Sequence, residues 1–471
     1  MTCRDAGARA LLATLLACSG CHHGRAAPTP AAAPAPTPQA TTGIRSCSYR
    51  VELSAEGRAL VDASCQATGS LSFRVSRPSL ASSVTSDTPG QDGQFPSHDK
   101  RLSYVVDLAK LAGRGHDFDN AARVGASFIA AMSSVLLVPE PLTTDIDVTV
   151  EVVAPPSLGV AVGLARAEAP GTYKLMAHEI PVATYFAFGK LAQRTLDIDG
   201  AHLEVTQLDG ALDQSFDDLN AWIATSARAV RDFYEVFPVP RASVTVIPIP
   251  TRGSVVFGKV MPESAPGVAL LVGQHAKRKA LYSDWILVHE LFHLGVPSFL
   301  DEGKWLDEGL ATYYEPIIRV RAGLYTETEM WTEFATSMPQ GLPAFEKLGL
   351  EKADDRASIY WGGALACLVA DVEARKRAPR RGLEVGVRAL RAAGGNASEV
   401  WSLAEVVGTV DRALAAPILT PIMKDHVRRG TPFDLPALFA ALGVHRDARG
   451  VVQLSESAPL AAVRHAITAK P

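Results

Sequence analysis

Between residues 46 and 171 the apolar positions recur at every second residue. Tyr49-Arg50-Val51-Glu52-Leu53, Leu71-Ser72-Phe73-Arg74-Val75 and Ile146-Asp147-Val148-Thr149-Val150-Glu151-Val152 each put their apolar side chains on one face of an extended chain, which predicts half-buried strands. Ser, Asp, Gly and Pro crowd residues 78–101 and predict loops. Further short strands are expected around Tyr185 and over 201–208. The period then changes: Phe216, Leu219, Ile223, Ala227, Val230 and Tyr234 recur every three or four residues and predict a helix within 213–237. Residues 243–249 and 268–272 read as strands. A helix follows from Ser283 or Asp284, either of which can cap its first amides. The remainder is predominantly helical, over 307–320, 359–376, 383–393, 402–415, 418–427 and 435–442, with Pro316 expected to distort the first of these because it lacks an amide.

The N-terminal end follows a different pattern. Arg4 and Arg9 precede an apolar run, 10–17, that is too short to span a bilayer and ends in Leu15-Leu16-Ala17-Cys18. This resembles a bacterial lipoprotein signal, in which the cysteine after the small residue is lipidated. Cys18 is the expected acceptor, and Cys21, after Ser19-Gly20, is the alternative. The resemblance implies a leader over 1–21, an exported protein of the cell envelope and an N-terminal lipid anchor to the membrane. Residues 22–45, rich in Ala, Pro and Thr, read as an extended tether. His22-His23 belongs to that flexible stretch rather than to a metal site.

Composition narrows the function classes. The 471 residues exceed what a single core usually accommodates. Apolar residues make up 47%, charged residues 20%, and the net charge is -4, which excludes the basic footprint of a nonspecific nucleic-acid binder. Cys47 and Cys65 can pair across a local loop, as export would permit. Cys367, inside an apolar run, reads as core packing. The basic run Arg375-Lys376-Arg377 with Arg380-Arg381 reads as a solvated helix end.

Chemistry concentrates at His289-Glu290-Leu291-Phe292-His293. On a helix the two histidines lie four residues apart on one face, so both imidazoles can reach one zinc ion. Glu290 can then face the open position and take a proton from the attacking water. A third ligand is required. Glu308 lies 15 residues after His293, far enough for an intervening loop and a second helix to return it to the metal. Glu302, in a loop, and Glu315, about two turns or ~10 Å farther along the same helix, are its rivals.

HELFH at 289–293 together with WLDEGLATYYE at 305–315 resembles the gluzincin metallopeptidases, especially the group with glycyl aminopeptidase-like and membrane alanyl aminopeptidase-like enzymes. The resemblance implies an α+β fold: a mainly β N-terminal domain over 46–171, a thermolysin-like zinc peptidase catalytic domain over 172–376, and a helical C-terminal region over 377–471. It implies one Zn2+ held by His289, His293 and Glu308, and Glu290 as general base. It also gives Tyr360, in Tyr360-Trp361-Gly362-Gly363-Ala364-Leu365, the role of donor to the developing oxyanion. The expected activity is hydrolysis of a peptide or protein substrate, with aminopeptidase and endopeptidase modes both open. Three features depart from the family pattern. The interval from His293 to Glu308 is short, and Gly362 stands where a lysine is common. The candidate edge strand, 253–259, carries no glutamate, although Glu263 is near. A catalytically inactive zinc-binding scaffold of the envelope is the competing reading, and hydrolysis of another amide or ester is a third.

Overall fold

The structure is a computed structural model that describes residues 43–470 apart from 114–117, 183, 263–264, 300 and 448. The leader, Cys18, Cys21, His22-His23 and Glu263 lie outside the described residues.

The chain opens on β1 (Ile44–Leu53) and β2 (Arg58–Ala67), paired antiparallel, followed by β3 (Arg101–Asp107), β4 (Asp147–Val153) and β5 (Thr172–Met176). They form a seven-stranded sheet in the order Ala165–Arg166, β5, β4, β1, β2, β3, Val84–Ser86, with β1 and β4 parallel. The alternation seen in the sequence is the reason. Tyr49, Val51 and Leu53 point inward from β1 while Arg50, on the outer face, pairs with Glu52 and with Glu151 of β4. A four-stranded sheet, Gly159–Val162, Tyr185–Gly189, Ser127–Ala131 and Ala121–Val124 in that order, shares this core through Phe128, Phe186 and Phe188. Each such buried ring is worth about 1.5–3 kcal/mol. Cys47 and Cys65 stand opposite each other on β1 and β2 and form a disulfide.

The second layer is a five-stranded sheet of β6 (Ala192–Ile198), β7 (Ala201–Gln207), β8 (Arg241–Ile249), β9 (Val255–Met261) and β10 (Gly267–Gly273), in the order β6-β7-β8-β10-β9. β7, β8 and β10 run parallel, and β9 forms an antiparallel edge. Helix α1 (Phe216–Tyr234), capped by Ser215, buries Leu219, Trp222, Ile223, Val230 and Phe233. Then come α2 (Ile286–His293), α3 (Lys304–Arg321), α4 (Glu327–Pro343), α5 (Gly363–Arg377), α6 (Leu383–Ala392), α7 (Leu403–Leu414), α8 (Leu435–Leu442) and α9 (Ala461–Thr468). All share one apolar core with the five-stranded sheet. The architecture is thus a β-sheet N-terminal region followed by a largely helical C-terminal region.

Four features add to the sequence reading or differ from it. The N-terminal β layer extends past residue 171, because β5 pairs with β4 and Tyr185–Gly189 pairs with Ser127–Ala131. Helix α4 was not legible in the apolar period, since Pro339, Gly341 and Pro343 interrupt its last turns; its signal was the capping box of Thr326 and Glu329. Helix α3 runs continuously through Pro316. Finally, Arg375 is not solvated: four residues beyond Asp371, it turns into the core and pairs with Asp371 and Glu384. Cys367 is buried in α5, as its apolar context required. Among the described residues no helix is long and apolar enough to cross a membrane.

The disulfide closes a loop 18 residues apart in sequence, worth about 3 kcal/mol on the chain-entropy account. Replacing Cys47 and Cys65 together by Ala should lower the urea midpoint of oxidised protein by a corresponding amount. An unchanged midpoint would rule out this contribution.

Candidate metal centre

Helix α2 is short and almost wholly buried, so its orientation is set by its neighbours. Phe292 packs against Phe233 and Tyr234 of α1 at 5.5 Å and Tyr314 of α3 at 5.7 Å, while Tyr234 donates to the Phe292 carbonyl at 3.0 Å. At the other end Asp284 accepts from the Ile286 amide at 2.8 Å, and Arg319 of α3 donates to the Ser283 carbonyl at 2.7 Å. These contacts present His289 and His293 to one point.

Nε2 of His289 and Nε2 of His293 are 3.3 Å apart; Glu308 Oε2 lies 3.2 Å from the first and 3.7 Å from the second. Ligands about 2.0–2.1 Å from a tetrahedral zinc ion are separated by roughly 3.3–3.4 Å, so the triangle fits the ion. His293 Nδ1 is 2.8 Å from Asp307 Oδ1, which makes Nδ1 the donor and leaves the Nε2 lone pair facing Glu308 and His289. The three atoms belong to a single His, His, Glu cluster suited to one zinc ion. Burial opposes ionisation of Glu308, yet the two histidines outweigh it and hold its carboxyl well below the usual range. Burial likewise disfavours the His293 cation, and Asp307 and Glu308 override it. The pocket therefore favours positive charge. Of the rivals, Glu315 is buried against Arg319 at 2.8 Å and Glu302 is exposed in the Asp301–Gly303 turn; neither joins the cluster.

Glu308 reaches the histidines because α3 crosses α5 backbone to backbone. A Cβ on Gly309 would lie 2.5 Å from the Gly363 carbonyl carbon, and one on Gly363 would lie 2.0 Å from the Trp305 oxygen. The same crossing brings Tyr360 to the site. It sits in a π-turn, Ser358–Gly362, that runs directly into α5. Its ring stacks on His289 at 5.8 Å and 3°, while Trp285 meets the same imidazole edge-on at 5.3 Å. Burial, and then the nearby Glu308 charge, push the Tyr360 hydroxyl up, so it remains a proton donor. Trp285 is 37% exposed beside the cluster.

Glu290 Oε2 accepts from the Val260 amide of edge strand β9 at 2.8 Å. A Cβ on Gly258 would come 2.7 Å from Glu290 Cγ and 2.4 Å from Ile286 Cγ2, so glycine lets the strand lie directly on the helix. Burial pushes the Glu290 carboxyl up, against the pull of His289 and His293. No carboxylate occurs on β9; its charged residue is Lys259, held 2.9 Å from Asp119. Asp307 and Gly258 were missed from sequence. A second carboxylate beside the third ligand was the available signal for the former, and Gly258 had none.

No protein-family model matches the chain, and no curated protein is detectably similar in sequence. Solved structures do match. The aminopeptidase N family protein from Idiomarina loihiensis superposes with a TM-score of 0.65 at 13% identity, over 88% of this chain and 82% of that one. The chain has an M1 zinc-aminopeptidase-like fold. The M1 zinc metallopeptidase from Deinococcus radiodurans gives a TM-score of 0.51 at 13% identity, over 83% of this chain and 95% of its own. A variant of that protein bound to the substrate Tyr-Ser-Ala gives 0.51 at 14%, with the same coverage. Within the M1-like fold, the metal triangle lies between helices α2 and α3 beside the edge of the five-stranded sheet.

Wild-type protein should carry close to one zinc per chain by elemental mass spectrometry, and His293→Ala or Glu308→Ala close to none. Asp307→Asn should retain the site but weaken zinc affinity about 10–100-fold in a chelator competition. Undiminished affinity would remove Asp307 from this role.

Proposed function

We propose that the protein is a zinc-dependent metallopeptidase that hydrolyses short peptides. The observation that carries this reading is the convergence of His289, His293 and Glu308 with Glu290 on the same helix, one residue after the first ligand. A bound zinc ion would supply Lewis acidity toward the peptide carbonyl and lower the pKa of water. Glu290, held against β9 by the Val260 amide, takes the proton from the attacking water and passes it to the departing amine. The Tyr360 hydroxyl donates a hydrogen bond to the oxygen on which negative charge develops. Asp307 holds His293 in the tautomer the site needs.

The Tyr-Ser-Ala substrate of the Deinococcus radiodurans protein supports a peptide of that size. Aminopeptidase action fits the fold likeness, and it calls for an acceptor for the substrate ammonium other than β9, which presents Lys259. We further propose that Cys18, with Cys21 as the alternative, carries a lipid anchor that holds the protein in the cell envelope.

Glu290→Gln should lose hydrolysis of a peptide library while keeping zinc. Tyr360→Phe should lower kcat about 10²–10³-fold with little change in KM. Stepwise trimming from free N-termini would identify an aminopeptidase and internal cuts an endopeptidase; turnover that survives Glu290→Gln would refute the mechanism. For the anchor, Cys18→Ala should move the full-length chain from the membrane fraction to the soluble one. Retention after Cys18→Ala but loss after Cys21→Ala would assign the alternative acceptor.

A further inference from the structure

Two cations stand next to groups of the metal site, and they differ in what they face. Lys259 Nζ is occupied, 2.9 Å from Asp119 Oδ1 and 3.5 Å from the Tyr185 hydroxyl. Arg356 is exposed and holds its guanidinium carbon 4.9 Å from the centre of the Tyr360 ring. Among the described residues no carboxylate forms an ion pair with Arg356, although Asp354 and Asp355 precede it directly. Asp355 caps the following turn instead, accepting from the Ser358 amide at 2.9 Å. The guanidinium thus rests on the tyrosine face, and among the described residues its donors make no hydrogen bond.

We infer that Arg356 binds a carboxylate of the peptide substrate, one or two residues beyond the cleaved bond. Tyr360 and His289 are 5.8 Å apart ring to ring, and Arg356 is 4.9 Å from Tyr360, so the guanidinium lies no farther than about 11 Å from a metal ligand. Two extended residues cover about 7 Å, and a guanidinium–carboxylate contact adds about 3 Å. The terminal carboxylate of a tripeptide cut at its first bond thus has a reach comparable to that separation. Stacking on Tyr360 holds the arginine in place, which reduces the side-chain entropy lost when it binds. The substrate class is then peptides with a free C-terminus close to the cut, or with an acidic side chain at the same distance. This inference rests on the zinc-peptidase reading above.

The test compares kcat/KM of zinc-loaded full-length protein on Tyr-Ser-Ala, its C-terminal amide, and Tyr-Glu-Ala amide. Wild type should prefer the free acid to its amide at least tenfold, and Arg356→Ala should bring that ratio to about one, with Arg356→Lys between. Recovery on Tyr-Glu-Ala amide would show that a side-chain carboxylate serves as well; its absence would restrict the site to the chain terminus. Because the readout is a ratio, any general effect of the substitution on Tyr360 cancels. A ratio within twofold of one in wild type, or one unchanged in Arg356→Ala, overturns the inference. Calorimetric binding of the product Ser-Ala against Ser-Ala amide reads the same preference without turnover. Protein that hydrolyses every peptide without preference contradicts the role of Arg356 alone. Protein that binds Ser-Ala selectively through Arg356 but hydrolyses nothing supports that role and contradicts the peptidase reading.

Discussion

Three lone-pair atoms from two helices must meet within 3.7 Å, and most of the helical half of the molecule is arranged around that requirement. Two imidazoles and a carboxylate placed so closely in a buried pocket repel or compete for protons unless a cation lies among them. Separate packing contacts hold α2 and α3 against that tendency. The aromatic group of Phe233, Tyr234, Phe292 and Tyr314 fixes the far face of α2, and the bare crossing of Gly309 on Gly363 fixes the depth of α3. Remove either, and Glu308 no longer shares a point with the histidines.

Behind the site, a second set of buried charges holds the helices in register. Arg375 pairs with Asp371 at 3.1 Å and with Glu384 at 3.1 Å; Arg321 reaches the same Glu384 at 2.7 Å, and the Tyr313 hydroxyl donates to Asp371 at 2.8 Å. These groups come from α3, α5 and α6. Such a network adds little net stability over an apolar core, because desolvation offsets the attraction. Its geometric demands are strict, however, and a slip of one turn in any of the three helices would leave a buried charge unpaired.

How much of this was legible in the sequence depends on the range of each interaction. The strands β1 and β4 were readable because one face of each is buried and the other is solvated. The Tyr185–Gly189 strand was harder to read, because every one of its residues is buried. The pair His289 and His293 was readable because one helical turn alone relates them. Glu308 needed the motif around it, and spacing left Glu302 and Glu315 open until tertiary structure placed Arg319 against Glu315. Asp307 and Gly258 owe their roles to partners 14 and 32 residues away in sequence, across a loop or a sheet edge. Local pattern does not say which distant partner such a residue meets. The short interval between the second histidine and Glu308 also gains a reason: the loop is pinned midway, where Ser298–Phe299 pairs with Val400–Trp401.

The position of the disulfide has a mechanical side. β1 begins at Ile44, one residue after the first described residue, and it is an interior strand of the seven-stranded sheet, hydrogen-bonded to β4 on one side and β2 on the other. A pull entering from the N-terminal end would therefore load β1 along its length, where many backbone hydrogen bonds must shear together rather than peel one by one. The covalent link at Cys47 lies only three residues inside the strand, so such a load would pass into β2 before the sheet could unravel.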